Sequence, residues 1–475
     1  MIQFGTGGWR DIIGENFTFD NVRIFSQGVA RKILNERKQS QGIVIGFDNR
    51  FMSEEYAKAA AEVFAANQIH VLLLAKSVPT PLVTYVTKMQ KTAAGMTFTA
   101  SHNSYMYNGI KFVGENGSPA TVAVTTELEQ LINQIQIETV QRVDYELAIH
   151  EQWIERVDYH HEFVEFIEEK LDMDILKKAG LNVIYDPMYG TGVTSVLTLL
   201  VDIRSNFKMI HDRIDPLFGG RVPAPSKETL WRISSMMREG DFDIGLATDG
   251  DADRIAVIDN EGKYMHPNEI LSILYYYFLE YKKKSGAVVR NVSTTHLLDA
   301  IAAHYGQKCI EKPVGFKYIA EGLLESDAVI GGESSGGITI RDHLLEKDGI
   351  LSAGLILEMM ASTGKTLKEI RQELVNKFGE FHYVEDNMTY MEGKKQRILD
   401  FLANEFQPQE MAGQSIKEIN QMDGVKLNLE NGDWLGIRFS GTEPLIRFMA
   451  ESAEEHVAKQ LIEQMKEVIT QQLKI

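Results

Sequence analysis

Residues 41–74, QGIVIGFDNRFMSEEYAKAAAEVFAANQIHVLLL, read as strand, turn, helix and strand. IVIGF is a short continuous apolar run, the kind a strand needs when helices cover both faces of a parallel sheet. Ser53 is placed to cap a helix running through Ala66, and HVLLL is a second buried strand. The same order returns in LNVIYDPMYGTGVTSVLTLL (181–200) and in GAVVRNVSTTHLLDAIAAHYGQKCIEKPVG (286–315). Their separation is on the order of a domain, far above the ~20–50 residues of a solenoid repeat. They are therefore expected to be three separate α/β units with mostly parallel sheets. The chain of 475 residues has room for roughly three to four domains.

The C-terminal part differs. FHYVEDNMTY (381–390) and GVKLNLENGDWLGIRFSGTEPLIRFMAES (424–452) point to an antiparallel sheet. EEHVAKQLIEQMKEVITQQL (454–473) is amphipathic, with Val457, Leu461, Met465, Val468 and Ile469 on one face, and is expected to pack on that sheet. The fold class is α/β: three similar mixed α/β domains, 1–147, 148–262 and 263–371, then a C-terminal α+β domain, 372–475. No low-complexity linker marks these boundaries.

Composition narrows the function. The net charge is -18, which repels nucleic acid and anionic membranes. No run reaches the ~18 apolar residues of a membrane span, and MIQFGTGGWR does not read as a signal peptide. Cys309 is the only cysteine, so no intrachain disulfide forms, which fits a reducing cytoplasm. So acidic a chain also repels a phosphorylated metabolite unless cations gather locally. Arg10, Lys111, Arg254, Lys317, Arg438 and Arg447 all lie within or beside glycine- or serine-rich stretches, read as loops.

Five stretches carry chemistry. TASHNSYMYNGIKF (99–112) sets Ser101 beside a histidine, with Lys111 close behind. FDIGLATDGDADRIAVID (242–259) is strand, acidic loop, strand; alternation in an extended segment turns the carboxylates of Asp249, Asp251 and Asp253 the same way. Three carboxylates so close call for a hard cation such as Mg²⁺ or Ca²⁺. An EF-hand is excluded, since Arg254 and Asn260 stand where its Gly and Glu belong. GGESSGGITI (331–340) contains G-x-S-x-G, but a strand-like run follows it where a nucleophile elbow needs a helix. A turn presenting Glu333 and Ser335 suits a polar ligand such as a sugar. IRFSGTEPLIRF (437–448) combines Ser440, Gly441 and Thr442 with flanking Arg438 and Arg447, a plausible anion nest. FGTGGWR (4–10) adds a glycine-rich loop ending in Arg10. Because these groups lie on separate units, the ligand site is expected in a central cleft.

Taken in order, FGTGGWR, TASHN, DGDADR, GESSGG and RFSGTEP resemble the motifs of the α-D-phosphohexomutase superfamily, over essentially the whole chain. The glycine-rich loop looks most like that of phosphoglucomutases. The resemblance implies four domains around a central cleft and an enzyme that interconverts hexose 1-phosphate and hexose 6-phosphate. It implies Ser101 as phosphoryl carrier, with His102 and Lys111 as proton handlers or charge stabilisers. Asp249, Asp251 and Asp253 would bind Mg²⁺ together with a phosphoserine oxygen on Ser101, and Arg254 and Arg10 would steady phosphoryl charge. Glu333, Ser335 and Lys317 would meet the sugar. Arg438, Ser440, Gly441, Thr442 and Arg447 would hold the phosphate that is not reacting. A hexose 1,6-bisphosphate would serve as intermediate and activator, and the protein would be a cytoplasmic monomer or homodimer. Two positions depart from the common pattern: Ser104 replaces a frequent proline, and Ser334 a frequent second glutamate. Glucose phosphate is the expected substrate, with mannose phosphate or dual specificity as the alternative. A metal-dependent sugar phosphatase and a non-catalytic sugar-phosphate sensor are the rival readings.

Overall fold

The computed structural model describes residues 2–5, 7–391, 393–439 and 444–473. All three βαβ stretches form. Ile43–Phe47 and Val71–Leu74 are parallel neighbours joined by the helix Ser53–Ala66. Asn182–Asp186 and Asn206–Met209 are joined by Val193–Asp202, and Val288–Asn291 and Cys309–Lys312 by Leu297–His304. Ser53 does not cap its helix. Met52, left-handed at φ 63°, holds the cap position. The Ser53 hydroxyl instead donates to Asp48 Oδ1 at 2.8 Å and accepts from Asn108 Nδ2 at 2.9 Å. The oxygen that would accept a helix N–H as a cap accepts from Asn108 instead.

Each of the first three sheets contains an antiparallel pair. The first runs Trp9–Ile12, Tyr107–Gly114, Ala94–Phe98, Ile43–Phe47, Val71–Leu74, Ile154–Val157. The second runs Tyr264–Met265, Ile255–Ile258, Ile244–Thr248, Asn182–Asp186, Asn206–Met209, and the third Cys309–Lys312, Val288–Asn291, Ile330–Gly332, Ile338–Ile340. The fourth sheet, His382–Thr389, Leu445–Ser452, Trp434–Phe439, Val425–Leu429, Gln414–Asn420, Glu410–Met411, is antiparallel throughout. Ser101 lies between antiparallel partners Ala94–Phe98 and Tyr107–Gly114. The three aspartates lie between Ile244–Thr248 and Ile255–Ile258, and Glu333 and Ser335 between Ile330–Gly332 and Ile338–Ile340. The pair Trp434–Phe439 and Leu445–Ser452 brackets residues 440–444. Three loops of different chemistry thus occupy one topological place, and residues 440–444 fall between strands paired in the same way.

Three elements run past the expected boundaries. Ile154–Val157 pairs into the first sheet and Tyr264–Met265 into the second, while Leu374 of the helix Leu367–Phe378 packs in the core of the second and third units. An edge strand is assigned by its backbone partner, which composition does not reveal. The second and third units share one core around Leu199, Val257, Tyr275 and Leu355, which also takes in Leu74, Leu82, Val83 and Val86 of the first. The first unit is built mainly on Phe25, Ile45, Phe64 and Phe98, and the fourth has a core of its own around Leu427, Leu435, Phe448 and Leu461. The C-terminal helix Glu455–Leu473 packs Leu461, Met465 and Ile469 onto that fourth sheet. Among the described residues no helix is long and apolar enough to cross a membrane.

Candidate active site

Ser101 is buried and left-handed, at φ 50°. For a residue other than glycine this conformation is uncommon and persists only where the surroundings impose it. Here Arg50 imposes it. Its guanidinium donates to the carbonyls of Ser101 and Asn103, each at 2.6 Å, and to those of Ser104 at 2.7 Å and Tyr107 at 3.1 Å. Asp48 lies 3.2 Å from its Nε in an oblique ion pair, and the Phe218 ring covers it at 4.9 Å. The Ser101 amide donates to Thr99 Oγ1 at 2.8 Å.

This geometry aims the Ser101 hydroxyl at the acidic loop, where Oγ donates to Asp249 Oδ2 at 2.9 Å. His102 Nδ1 is 3.4 Å from the same Oγ. Asp249, Asp251 and Asp253 are fully buried, and one oxygen from each gathers within 4.8 Å of the others. The loop is not extended, as alternation predicted. Ala252 is left-handed at φ 53° and its amide bonds back to Asp249 O at 3.0 Å, so a tight turn makes the carboxylates converge. Thr80 Oγ1 donates to Asp251 Oδ2 at 2.5 Å from the first unit.

Lys111 Nζ bridges the acidic residues, reaching Asp251 Oδ2 at 2.5 Å and also pairing with Asp253. Lys347 Nζ approaches Asp253 Oδ2 at 3.1 Å from the third unit. Arg254 Nε stands 3.9 Å from Asp249 and 3.8 Å from Asp253. Arg10 donates to Asn103 Oδ1 at 2.8 Å, beside the serine. Burial, reinforced by Asp253 and Asp251, pushes the Asp249 carboxyl up to about 7. Burial also raises Asp253, but Lys111, Lys347 and Arg254 outweigh it and hold the carboxyl well below its usual range. Arg254 first, then burial and Arg10, push the His102 imidazole well below its ordinary value.

These residues fit a hard divalent cation. Three buried carboxylates repel one another, and Asp251 Oδ1 and Asp253 Oδ1 are buried with no hydrogen-bond partner among the described residues. Oxygen ligands alone, with no sulfur or imidazole among the three, match Mg²⁺ or Ca²⁺ over softer metals.

The loop that carries Glu333 joins this centre through the backbone: Ile255 N–H donates to Gly336 O at 3.1 Å. Glu333 is buried and its Oε1 accepts from Gly315 N at 2.8 Å and Asn291 Nδ2 at 3.2 Å, while Ser335 is exposed. A Cβ at Gly337 would stand 2.4 Å from Lys347 Cδ, so only glycine leaves room for that lysine. Lys317 lies in the helix Phe316–Glu325, half-buried over the Tyr318 ring at 5.0 Å. Arg438 and Arg447 are direct cross-strand partners. Like charges placed so repel unless an anion sits between them. Ser440, Gly441 and Thr442 lie outside the described residues. Among the described residues, Lys317, Ser335, Arg438 and Arg447 make no hydrogen bond or ion pair with the serine or the acidic loop. The expectation that the six cations lie in loops is corrected. Arg10, Lys111, Arg438 and Arg447 are on strands and Lys317 is on a helix, leaving Arg254 in a loop. A strand fixes a long side chain's direction better than a loop does.

The four parts of the chain match, in order, four descriptions. They are phosphoglucomutase/phosphomannomutase, alpha/beta/alpha domain I over residues 1–138, domain II over 161–262, domain III over 266–378, and the C-terminal domain over 390–468. The chain belongs to the phosphoglucomutase/phosphomannomutase family. A phosphoglucosamine mutase of Limosilactobacillus reuteri is 30% identical over 99% of both chains. A phosphoglucomutase/phosphomannomutase of Thermococcus kodakarensis is 28% identical over 97% of this chain and 96% of its own. A crystal structure from Thermus thermophilus, bearing the name phosphomannomutase, superposes with a TM-score of 0.85 at 29% identity, covering 98% of this chain and 99% of the other. The chain is therefore a phosphohexomutase, an isomerase, which sets aside the phosphatase and sensor readings.

Within this mutase, Arg50, Thr80 and Lys347 escaped the sequence reading. Arg50 follows a buried strand in FDNR, and an arginine leaving a strand end toward a site loop was its one signal. Lys347 lies in EKDG, immediately before the helix Gly349–Thr363, whose Gly349 amide bonds Ala252 O at 3.1 Å. Its ion pair depends on a contact between units that no local pattern encodes.

Proposed function

We propose that this phosphohexomutase interconverts glucose 1-phosphate and glucose 6-phosphate through a phosphoserine at Ser101 and glucose 1,6-bisphosphate. The observation that carries the reading is the contact of Ser101 Oγ with Asp249, inside a carboxylate cluster that also holds Lys111. Asp249, Asp251 and Asp253, with a phosphoserine oxygen, would hold Mg²⁺. When bound, Mg²⁺ neutralises charge on the transferring phosphoryl group as a Lewis acid. Phosphoryl transfer depends chiefly on positioning and charge neutralisation. Lys111, Arg254 and Arg10 supply positive charge around Ser101, and His102 stands where a proton can be passed to or from the reacting oxygens. Glu333 and Ser335 meet sugar hydroxyls in both orientations of the bisphosphate, with Lys317 beside them. Arg438, Ser440, Gly441, Thr442 and Arg447 hold the distal phosphate. The lone, half-buried Cys309 suits a cytoplasmic enzyme, acting as monomer or homodimer.

Glucose is the expected hexose, on the likeness of the GESSGG loop to that of phosphoglucomutases. Between glucose and mannose one hydroxyl orientation decides, worth about 0.5–1.5 kcal/mol, or up to ~3 if a buried group is left unsatisfied. The test compares kcat/KM for glucose 1-phosphate, mannose 1-phosphate and glucosamine 1-phosphate, each with its matching bisphosphate. Glucose 1-phosphate is expected to lead by about 2- to 150-fold; equality or reversal overturns the specificity and leaves the mutase reaction standing.

A further inference from the structure

One turn of the fourth unit makes three polar contacts with the third. Asn420 Nδ2 donates to Glu311 Oε1 at 2.9 Å, Lys426 Nζ pairs with Glu311 Oε2 at 2.6 Å, and Asp423 Oδ2 accepts from the Val314 amide at 2.8 Å. Asp423 has a second partner: the same Oδ2 lies 3.0 Å from Arg438 Nε, an oblique ion pair. The contact engages the inner nitrogen of the guanidinium, not the Nη1/Nη2 fork that suits a phosphate. Gly424 makes this approach possible. It is left-handed at φ 82°, and a Cβ there would stand 2.2 Å from Ile437 O, against the strand that carries Arg438. On the other side, the residue after Val314 is Gly315, whose amide donates to Glu333 Oε1 at 2.8 Å. Two consecutive amides of one loop therefore hold Glu333 and Asp423.

We propose that Asp423 is a positioning residue that sets the direction of Arg438 and couples it to the sugar loop through Val314 and Gly315. The inference rests on the reading of Arg438 as part of the distal-phosphate clamp. Asp423 itself touches no ligand. Its carboxylate holds Nε so that the Nη fork faces outward, and its Val314 contact brings the fourth unit into register with Glu333 when both ends of a hexose bisphosphate are bound.

The test is a double-mutant cycle on steady-state kinetics with glucose 1-phosphate and glucose 1,6-bisphosphate, using D423N, R438A and the double variant, with thermal melts as a check on folding. Asn keeps the shape and an acceptor for Val314 but loses the charge. D423N is expected to raise KM on the order of tenfold with a smaller change in kcat, R438A to raise it at least as much, and the double variant to match R438A alone. D423E, which restores the charge, is expected to recover part of the loss. Equal fold-changes from D423N in both backgrounds would show that Asp423 does not act through Arg438 and would overturn the proposal while the clamp stands. An unchanged KM in R438A would overturn the clamp and this proposal with it.

Discussion

Ser101 holds a backbone conformation that costs on the order of 1–3 kcal/mol unless its surroundings enforce it. Arg50 supplies that enforcement with four carbonyl contacts, and a lysine, carrying one compact ammonium, cannot reproduce them. R50K is expected to lower kcat by at least about tenfold and to cost about 2–3 kcal/mol of stability. Steady-state kinetics and denaturant melts check both, and an unchanged kcat would show that the serine loop holds its shape unaided. At this scale the motifs singled out Ser101 and the three aspartates, and the structure brings these four side chains together. Arg50 and Lys347 were not singled out, because their roles arise from contacts with residues distant in sequence, Ser101 in one case and Asp253 in the other.

Among the elements, the helix Gly349–Thr363 meets the acidic loop through its first residue. Asp348 caps it, accepting from the amides of Ile350 at 2.8 Å and Leu351 at 3.0 Å, and pairs with the fully buried side chain of His343 at 2.9 Å. D348A removes the cap and strands a buried imidazole, so a loss of about 3 kcal/mol or more is expected in urea melts, with a fall in kcat as the Gly349 contact to Ala252 loosens. A loss below about 1 kcal/mol would contradict this account. A second helix carries a pH signature. Glu168 ends the helix His160–Glu168, and burial, followed by Asp202, pushes its carboxyl from 4.5 up to about 7. Its folded-state value is raised, so its stability contribution is complete below about 4.5 and is lost as the pH rises to about 7. E168Q is therefore expected to melt progressively higher than the parent between those values, and a gap that stays constant with pH would refute the assignment. The βαβ units were legible because the first strand of each, Ile43–Phe47, Asn182–Asp186 and Val288–Asn291, carries a buried apolar run and a helix pattern follows it. Their boundaries were not: Ile154–Val157 and Tyr264–Met265 are short edge strands, placed by pairing rather than by composition.

For the whole molecule, one arrangement repeats: in each of the first three units the turn of an antiparallel pair carries a different polar group, Ser101, the three aspartates and Glu333. Three of the units meet directly through Ser101, the acidic loop and Lys347, whereas the fourth has its own core and meets the third through polar contacts at Glu311, Val314 and His296 and through two ring contacts, His296–Trp434 and His266–Tyr383. Polar junctions of this kind open more readily than shared apolar cores. Amide exchange is expected to release Trp434–Phe439 before Ile244–Thr248, and simultaneous release would mean that all four units unfold together. Ser101 is the proposed carrier of the phosphoryl group, and intact mass tests that role most directly. Incubated with glucose 1,6-bisphosphate and Mg²⁺, the parent chain is expected to gain one phosphoryl group mapping to the peptide that contains Ser101, while S101A gains none and loses multiple-turnover mutase activity. A phosphorylated S101A chain, or an S101A variant that keeps more than a few per cent of the activity, would contradict it.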